Sequence, residues 1–207
     1  MDNLILVNKE NSIDINYIPE DLKQCEVDLE AYKQYKASIV REACIKYYKM
    51  RRDALLYNYD IYVCSGFRSG EEQQKVFNYY LRKNKEKLLK ENPIIDLNML
   101  EQEAYNLTAK RVALPGQSEH QTGLAIDIEC YYKRNYDEDI AELGEIEWMK
   151  ENAHKYGYIL RYPKGKEDIT GYNFEPWHYR YIGEEYAYDY SKRNMTFEEY
   201  HKLVLKK

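Results

Sequence analysis

Ser118-Glu119-His120-Gln121-Thr122-Gly123-Leu124-Ala125-Ile126-Asp127-Ile128 decides how this chain is read. Its second half, from Leu124 to Ile128, is short, apolar and partly β-branched, so it predicts a strand. An aspartate inside such a strand is costly to bury unless something compensates its charge. The acid follows His120 by seven residues, across a glycine. The stretch therefore predicts a core strand and a candidate site at once.

The flanks add helices and further short strands. Upstream, Ile61-Tyr62-Val63-Cys64 reads as a strand running into Ser65-Gly66. A helix is expected from Ser69, because Ser69 and Glu72 have capping-box spacing and Glu71 favours the N-terminal dipole. It carries Val76, Phe77, Tyr80 and Leu81, then a basic stretch from Arg82 to Lys90, and Pro93 breaks it. Residues 96–111 form another helical candidate. Residues 28–57 are also expected to be helical, since Ile39, Ala43, Tyr47, Met50 and Ala54 recur at helical spacing. Downstream, six acids between Asp137 and Glu147 suggest a solvated loop leading to a helix near 146–156. Gly157 ends that helix, and strands are expected at Tyr158-Ile159-Leu160 and from Trp177 to Ile182. Thr196 and Glu199 form a second capping box that opens a last helix through Leu203. Helices flanking a few short strands predict an α+β fold with a small antiparallel sheet.

At 207 residues the chain is read as a single domain over 1–207, long enough to bury roughly 70% of its unfolded surface. The formal net charge of -5 argues against a strongly basic nucleic-acid binder, so no nucleic-acid partner is expected. No stretch approaches the ~20 apolar residues of a membrane span. The start, Met1-Asp2-Asn3-Leu4-Ile5-Leu6-Val7-Asn8, lacks the basic region and long apolar run of a secretory signal. A cytoplasmic location is therefore expected, or an extracytoplasmic one if an export segment has been removed. Cys25, Cys44, Cys64 and Cys130 show no C-x-x-C pattern, which argues against a cysteine zinc site, and reduced packed thiols are expected. Tyrosine supplies 24 of the aromatic residues, an unusual excess, whereas histidine occurs only four times.

Two of those histidines attract chemistry. His178 sits in Glu175-Pro176-Trp177-His178-Tyr179, beside strand-like aromatic residues. With His120 and Asp127 it completes a set of three ligands. A catalytic zinc takes three protein ligands and keeps a position open. There it lowers the pKa of a water and polarises a carbonyl. Glu175, three residues before His178, is placed either to carry a proton between water and a leaving amine or to be a fourth ligand that closes the site. The plain alternative is a core aspartate paired with one histidine, with two unrelated surface histidines. His154 and His201 match no pattern and are read as structural.

At these residues the chain resembles the VanY-type D-alanyl-D-alanine carboxypeptidases, whose relatives include VanXY dipeptidase/carboxypeptidases and peptidoglycan L,D-carboxypeptidases. The S-E-H-Q-T-G-L-A-I-D and F-E-P-W-H-Y-R-Y segments carry the resemblance. Ser65-Gly66-Phe67-Arg68-Ser69 with Gln73, and Gly157-Tyr158-Ile159-Leu160-Arg161-Tyr162-Pro163, extend it, as do Leu6-Val7-Asn8-Lys9 and Phe197-Glu198-Glu199-Tyr200. The resemblance implies a hedgehog/D-Ala-D-Ala-peptidase-like fold. It implies a Zn2+ cofactor held by His120, Asp127 and His178, with Glu175 as general base and acid. It implies that Arg68 stabilises the oxyanion, which suits a fixed guanidinium. Ser118 and Gln73 are implied to bind the substrate's peptide and carboxylate groups, and Trp177 and Tyr162 to shape the pocket. The implied substrate is a D-Ala-D-Ala dipeptide or a peptidoglycan peptide, with a link to vancomycin resistance. Variants of that expectation are an L,D-carboxypeptidase or an endopeptidase. An expectation of a different kind is a non-catalytic zinc-containing binding module, like the hedgehog signalling domains; the intact Glu175 argues against it.

Overall fold

The computed structural model describes residues 2–27, 35–130 and 138–204. Strands β1 (Leu22–Val27) and β2 (Tyr35–Val40) pair antiparallel, from Leu22 opposite Val40 to Val27 opposite Tyr35. Helix α1 (Arg41–Leu55) follows directly. A second sheet contains β3 (Ile61–Ser65), β4 (Ala125–Cys130), β5 (Tyr158–Leu160) and β6 (His178–Tyr181), in the order β3-β4-β6-β5. Every neighbouring pair is antiparallel, as the α+β reading requires. Between β3 and β4 lie α2 (Gly70–Glu91) and α3 (Leu97–Ala109). The helices α4 (Gly144–Asn152), α5 (Glu167–Thr170), α6 (Glu184–Ser191) and α7 (Phe197–Val204) complete the described chain.

One face of the four-stranded sheet makes the main core. Ile126 and Ile128 of β4, Tyr179 and Tyr181 of β6 and Tyr158 of β5 meet Ala43, Tyr47, Met50 and Ala54 of α1 there. The tyrosine excess finds a use in this core. Tyr47 accepts from the Val63 N–H and donates to the Ile61 carbonyl, and Tyr158 donates to the Ala43 carbonyl at 2.7 Å. Tyr181 reaches Glu42 and Tyr156 reaches Asp53. Each ring fills apolar space while its hydroxyl satisfies a polar group at the edge of the core.

Both expected capping boxes are present. The Ser69 hydroxyl accepts from the Glu72 N–H, and the Glu72 carboxylate accepts from the Ser69 N–H at 2.8 Å. Thr196 and Glu199 exchange the same pair of bonds at the start of α7. Bonds from Ser69 hold the Glu72 carboxyl below its ordinary value of 4.5. A carboxyl lowered in the folded state stabilises above its unfolded pKa, and that contribution is lost as pH falls through the folded one. Ser69→Ala is therefore expected to cost about 1 kcal/mol at pH 7 and less in acid. Urea unfolding at pH 7 and pH 3.5 measures both.

Three expectations need correction. Residues 35–40 are a strand, not the first turns of a helix, and residues 28–34 lie outside the described residues. Ile39 happens to sit four residues before Ala43, but Ile39 and Val40 are β-branched, and six paired positions with β1 decide their state. The helix expected near 146–156 begins at Gly144 and changes to a 3-10 turn over Ala153–Tyr156. Lastly, Cys25 and Cys44 form a disulfide, with Cα atoms 6.2 Å apart, where reduced thiols were expected. The β1–β2 pairing brings Cys25 against α1, a proximity that sequence spacing does not reveal. The Cys64 sulfur lies 3.2 Å from the Asp127 carbonyl oxygen, and the Cys130 side chain lies outside the described residues.

Candidate metal centre and active site

Strand alternation builds the site. Since Ile126 and Ile128 face the core, Asp127 faces the other side of the sheet. The same holds in β6, where Tyr179 and Tyr181 face the core and His178 and Arg180 do not. Register then places Asp127 directly opposite His178 and Ala125 opposite Arg180. His120 arrives from a 3-10 turn, Glu119–Thr122, that leads into β4. Gly123 ends this turn at φ 67, and a Cβ there would lie 2.9 Å from Leu22. The glycine that separates histidine from aspartate in sequence is thus required by both backbone and space.

The three side chains converge. Asp127 lies between the two rings, with Oδ2 at 3.1 Å from His120 Nε2 and Oδ1 at 3.0 Å from His178 Nδ1. One donor atom from each residue fits within a span of 4.8 Å, and all three residues are buried. The imidazoles meet edge to face, 5.0 Å apart. His120 Nδ1 lies 2.7 Å from the Gly66 carbonyl, which only accepts, so Nδ1 holds the proton and Nε2 presents its lone pair. Two imidazole nitrogens and a carboxylate are a donor set that zinc accepts. Burial alone would raise the Asp127 carboxyl, but the neighbouring histidines hold it well below the usual range. Burial depresses His120, whereas at His178 the neighbouring Asp127 and Glu119 carboxylates outweigh burial and lift the imidazole to about 9.

Glu175 stands beside this set, with Oε2 at 3.8 Å from His178 Nδ1. Burial pushes its carboxyl up to about 8, against the pull of His178 and helped by Asp127. A group in that range both gives and takes a proton near neutral pH. Arg68 follows the end of β3, where a bulge re-aims the strand. Its Nη1 donates to Gln73 Oε1 at 2.8 Å and its Nη2 to Ser65 Oγ at 3.0 Å. Gln73 in turn donates from Nε2 to the Ala113 carbonyl. Both ends of this amide are engaged within the protein, so Gln73 stands behind Arg68. Ser118 is buried at the mouth of the histidine turn and makes no capping bond there. Tyr162 packs at a tilt against the His178 ring, with centroids 4.9 Å apart, and Trp177 packs with Ile140 and Ile146.

These residues line one cleft. Arg111 and Tyr172 also line it and were not singled out from sequence. Beneath it lies a buried ion network that sequence reasoning also missed. Glu119 Oε1 accepts from Arg161 Nε at 2.8 Å and from Arg180 Nη1 at 2.9 Å. Arg161 then forks onto both oxygens of Glu198 in α7, which also accepts from Asn8. Arg180 Nη2 donates to the carbonyls of Asn3 and Ile5. Burial would raise the Glu119 carboxyl, but the two guanidiniums hold it far below the usual range. The available signal was Arg180, two residues after His178 and so on the same strand face.

Comparisons with known proteins identify the family. Residues 36–184 match the model of the VanY D-alanyl-D-alanine carboxypeptidase family. The chain is 35% identical over 205 residues to the putative carboxypeptidase YodJ of Bacillus subtilis, covering 98% of this chain and 68% of that protein. It is 32% identical over 206 residues to the bifunctional D-Ala-D-Ala dipeptidase and carboxypeptidase VanXYC of Enterococcus gallinarum, covering 97% and 94%. Among solved structures, the LdcB LD-carboxypeptidase superposes with TM-score 0.78 at 35% identity, covering 97% of this chain and 86% of that one. A mutant of the D,D-pentapeptidase VanY from a VanB-type resistance cassette, solved with Zn(II), superposes with TM-score 0.74 at 30% identity, covering 97% and 99%. No helix among the described residues is long and apolar enough to cross a membrane. The fold, the family match and the His120–Asp127–His178 triad lead to one conclusion: this chain belongs to the VanY D-alanyl-D-alanine carboxypeptidase family and is a metallopeptidase.

Proposed function

We propose that the protein is a zinc-dependent carboxypeptidase/dipeptidase that removes C-terminal D-alanine from peptidoglycan precursor peptides. The observation that carries this reading is the meeting of a three-donor metal set, a buried carboxyl near pKa 8 and a braced guanidinium in one cleft. His120, Asp127 and His178 would hold the zinc. When bound, zinc polarises the scissile carbonyl and makes water a competent nucleophile near neutral pH. Glu175 takes a proton from the attacking water and returns it to the departing amine nitrogen. Arg68, held by Gln73 and Ser65, supplies positive charge for the oxyanion of the tetrahedral intermediate without reorganising. Ser118 donates to the substrate's polar groups, and Tyr162 and Trp177 wall the pocket.

Arg68→Ala is expected to lower kcat/KM by roughly 10²–10³-fold, with Arg68→Lys recovering part of it, in steady-state assays. Product analysis by mass spectrometry tests the substrate. Zinc-loaded protein is incubated with free D-Ala-D-Ala, a pentapeptide ending in D-Ala-D-Ala and a tetrapeptide ending in an L,D bond. Release of alanine from the first two supports the proposal. Release from the tetrapeptide alone favours the L,D reading, which the likeness to LdcB also supports. Binding without turnover of any of them would return the protein to a binding module. A role in vancomycin resistance belongs to the same proposal and is tested by expressing the gene in a susceptible host.

The compartment remains part of the proposal. The Cys25–Cys44 disulfide weighs against the cytoplasmic location expected from sequence, because cytosolic glutathione keeps thiols reduced. Acid-trapped native protein is expected to be alkylated at Cys25 and Cys44 only after reduction, as read by peptide mass mapping. Direct alkylation of both would restore the cytoplasmic reading.

A further inference from the structure

The two ligand histidines use opposite nitrogens toward Asp127, Nε2 for His120 and Nδ1 for His178. Each ring therefore needs its other nitrogen held. For His120 the holder is the Gly66 carbonyl, at 2.7 Å. At His178, Nε2 faces Glu119 Oε2 at 3.6 Å. Both of these atoms are buried and neither has a hydrogen-bond partner. Buried polar atoms are ordinarily paired, so two orphans facing each other point to a bond that closes when the site is engaged.

Glu119 is shaped for this task. Both guanidiniums, Arg161 and Arg180, bond the same oxygen, Oε1, and leave Oε2 unspent. A carboxylate needed only to neutralise two arginines has no reason to leave one oxygen orphaned in the interior. An ionised carboxylate accepts and never donates, so His178 must supply the hydrogen from Nε2. With the metal bound, the lone pair of His178 then stands on Nδ1, on the side of Asp127 and His120. Acceptors behind ligand histidines fix tautomer and ring angle in this way in metal sites generally.

We propose that Glu119 is the positioning residue of this centre: through Oε2 it accepts the Nε2–H of His178 and fixes the tautomer in which Nδ1 ligates the metal. Arg161 and Arg180 clamp the other oxygen and so aim it. This rests on the zinc reading above, and the experiment separates the two. Zinc affinity is measured by chelator competition on wild type, Glu119→Gln and Glu198→Gln, with urea unfolding of each. Glu198 shares Arg161 with Glu119 but is not bonded to His178, so its variant controls for damage to the ion network.

The expected result is a loss of zinc affinity of roughly 10–100-fold in Glu119→Gln. Glu198→Gln should lose stability yet keep zinc affinity within about twofold of wild type. Unchanged affinity in Glu119→Gln, or equal losses in both variants, would overturn the role of Glu119. A wild-type protein that binds no zinc would overturn the metal reading itself. If Glu119→Gln does not fold, long-range 1H–15N spectra of zinc-loaded wild type decide instead. A protonated Nε2 on His178 supports the proposal, and a protonated Nδ1 overturns it.

Discussion

Replacing Glu175 by glutamine is expected to lower kcat by about 10²–10⁴-fold while zinc stays bound. The amide keeps the size and the buried position of the carboxyl, so packing against the cleft changes little. What it loses is the capacity to take a proton and give it back. The ligand set does not need Glu175 to form, since His120, Asp127 and His178 already place their donor atoms within 4.8 Å. The loss should therefore fall on kcat, with KM moving much less. Steady-state kinetics with metal content measured on the same samples gives both halves. Full activity with zinc bound would end the proposed acid–base role. Loss of zinc along with activity would mean that Glu175 is a fourth ligand, the alternative that spacing left open.

Replacing Arg161 by methionine is expected to destabilise the fold by about 3–5 kcal/mol. Methionine preserves much of the side-chain volume beside Tyr162 and Phe197, where the guanidinium now sits. The charge is what goes. Arg161 is fully buried, and it holds Glu119 with one nitrogen and Glu198 with two. Removing it leaves Glu198 with Asn8 as its side-chain hydrogen-bond partner and Glu119 with Arg180 as its one guanidinium. Uncompensated buried carboxylates are far more costly than the same cavity lined with apolar groups. For that reason the double variant Arg161→Met/Glu198→Met should be more stable than Arg161→Met. Urea unfolding at pH 7 measures all three, and a single-variant loss below about 1 kcal/mol would contradict the buried network. A loss of 3–5 kcal/mol is a large share of the 5–15 kcal/mol that holds a typical domain together. Arg161→Met would therefore lower activity by depleting folded protein, an effect that kinetics on the folded fraction separates from chemistry.

Local signals were legible where physics acts locally. Ser69 with Glu72 and Thr196 with Glu199 mark helix starts, because the capping bonds join residues three apart. Gly157 ends a helical stretch at φ 85. Asp127 within an apolar strand betrays a compensated charge without any knowledge of what lies opposite. Less legible was β2, whose Ile39 mimics a helical stripe until β1 pairs with it. Helix α6 was missed as well. Its Glu184–Ser191 segment, rich in acids and tyrosines, shows little apolar periodicity, and its buried side is made by Ala187 and Tyr190 against Ile159, Ile182 and Phe197.

The site divides along the same line. Residue types and spacing by themselves offered the three ligand candidates and Glu175, because a metal centre needs particular donors and those donors are scarce in this chain; the family came from the resemblance of the motifs. Only the tertiary structure decided how they are held. The antiparallel register sets Asp127 opposite His178, the Gly66 carbonyl selects the nitrogen of His120, and Gln73 turns out to brace Arg68. The buried network of Glu119, Arg161, Arg180 and Glu198 was also invisible in the sequence. Its members come from the histidine turn, the segment after β5, strand β6 and helix α7. Four charges are tolerable in the interior only when they meet, and sequence order carries no record of that meeting.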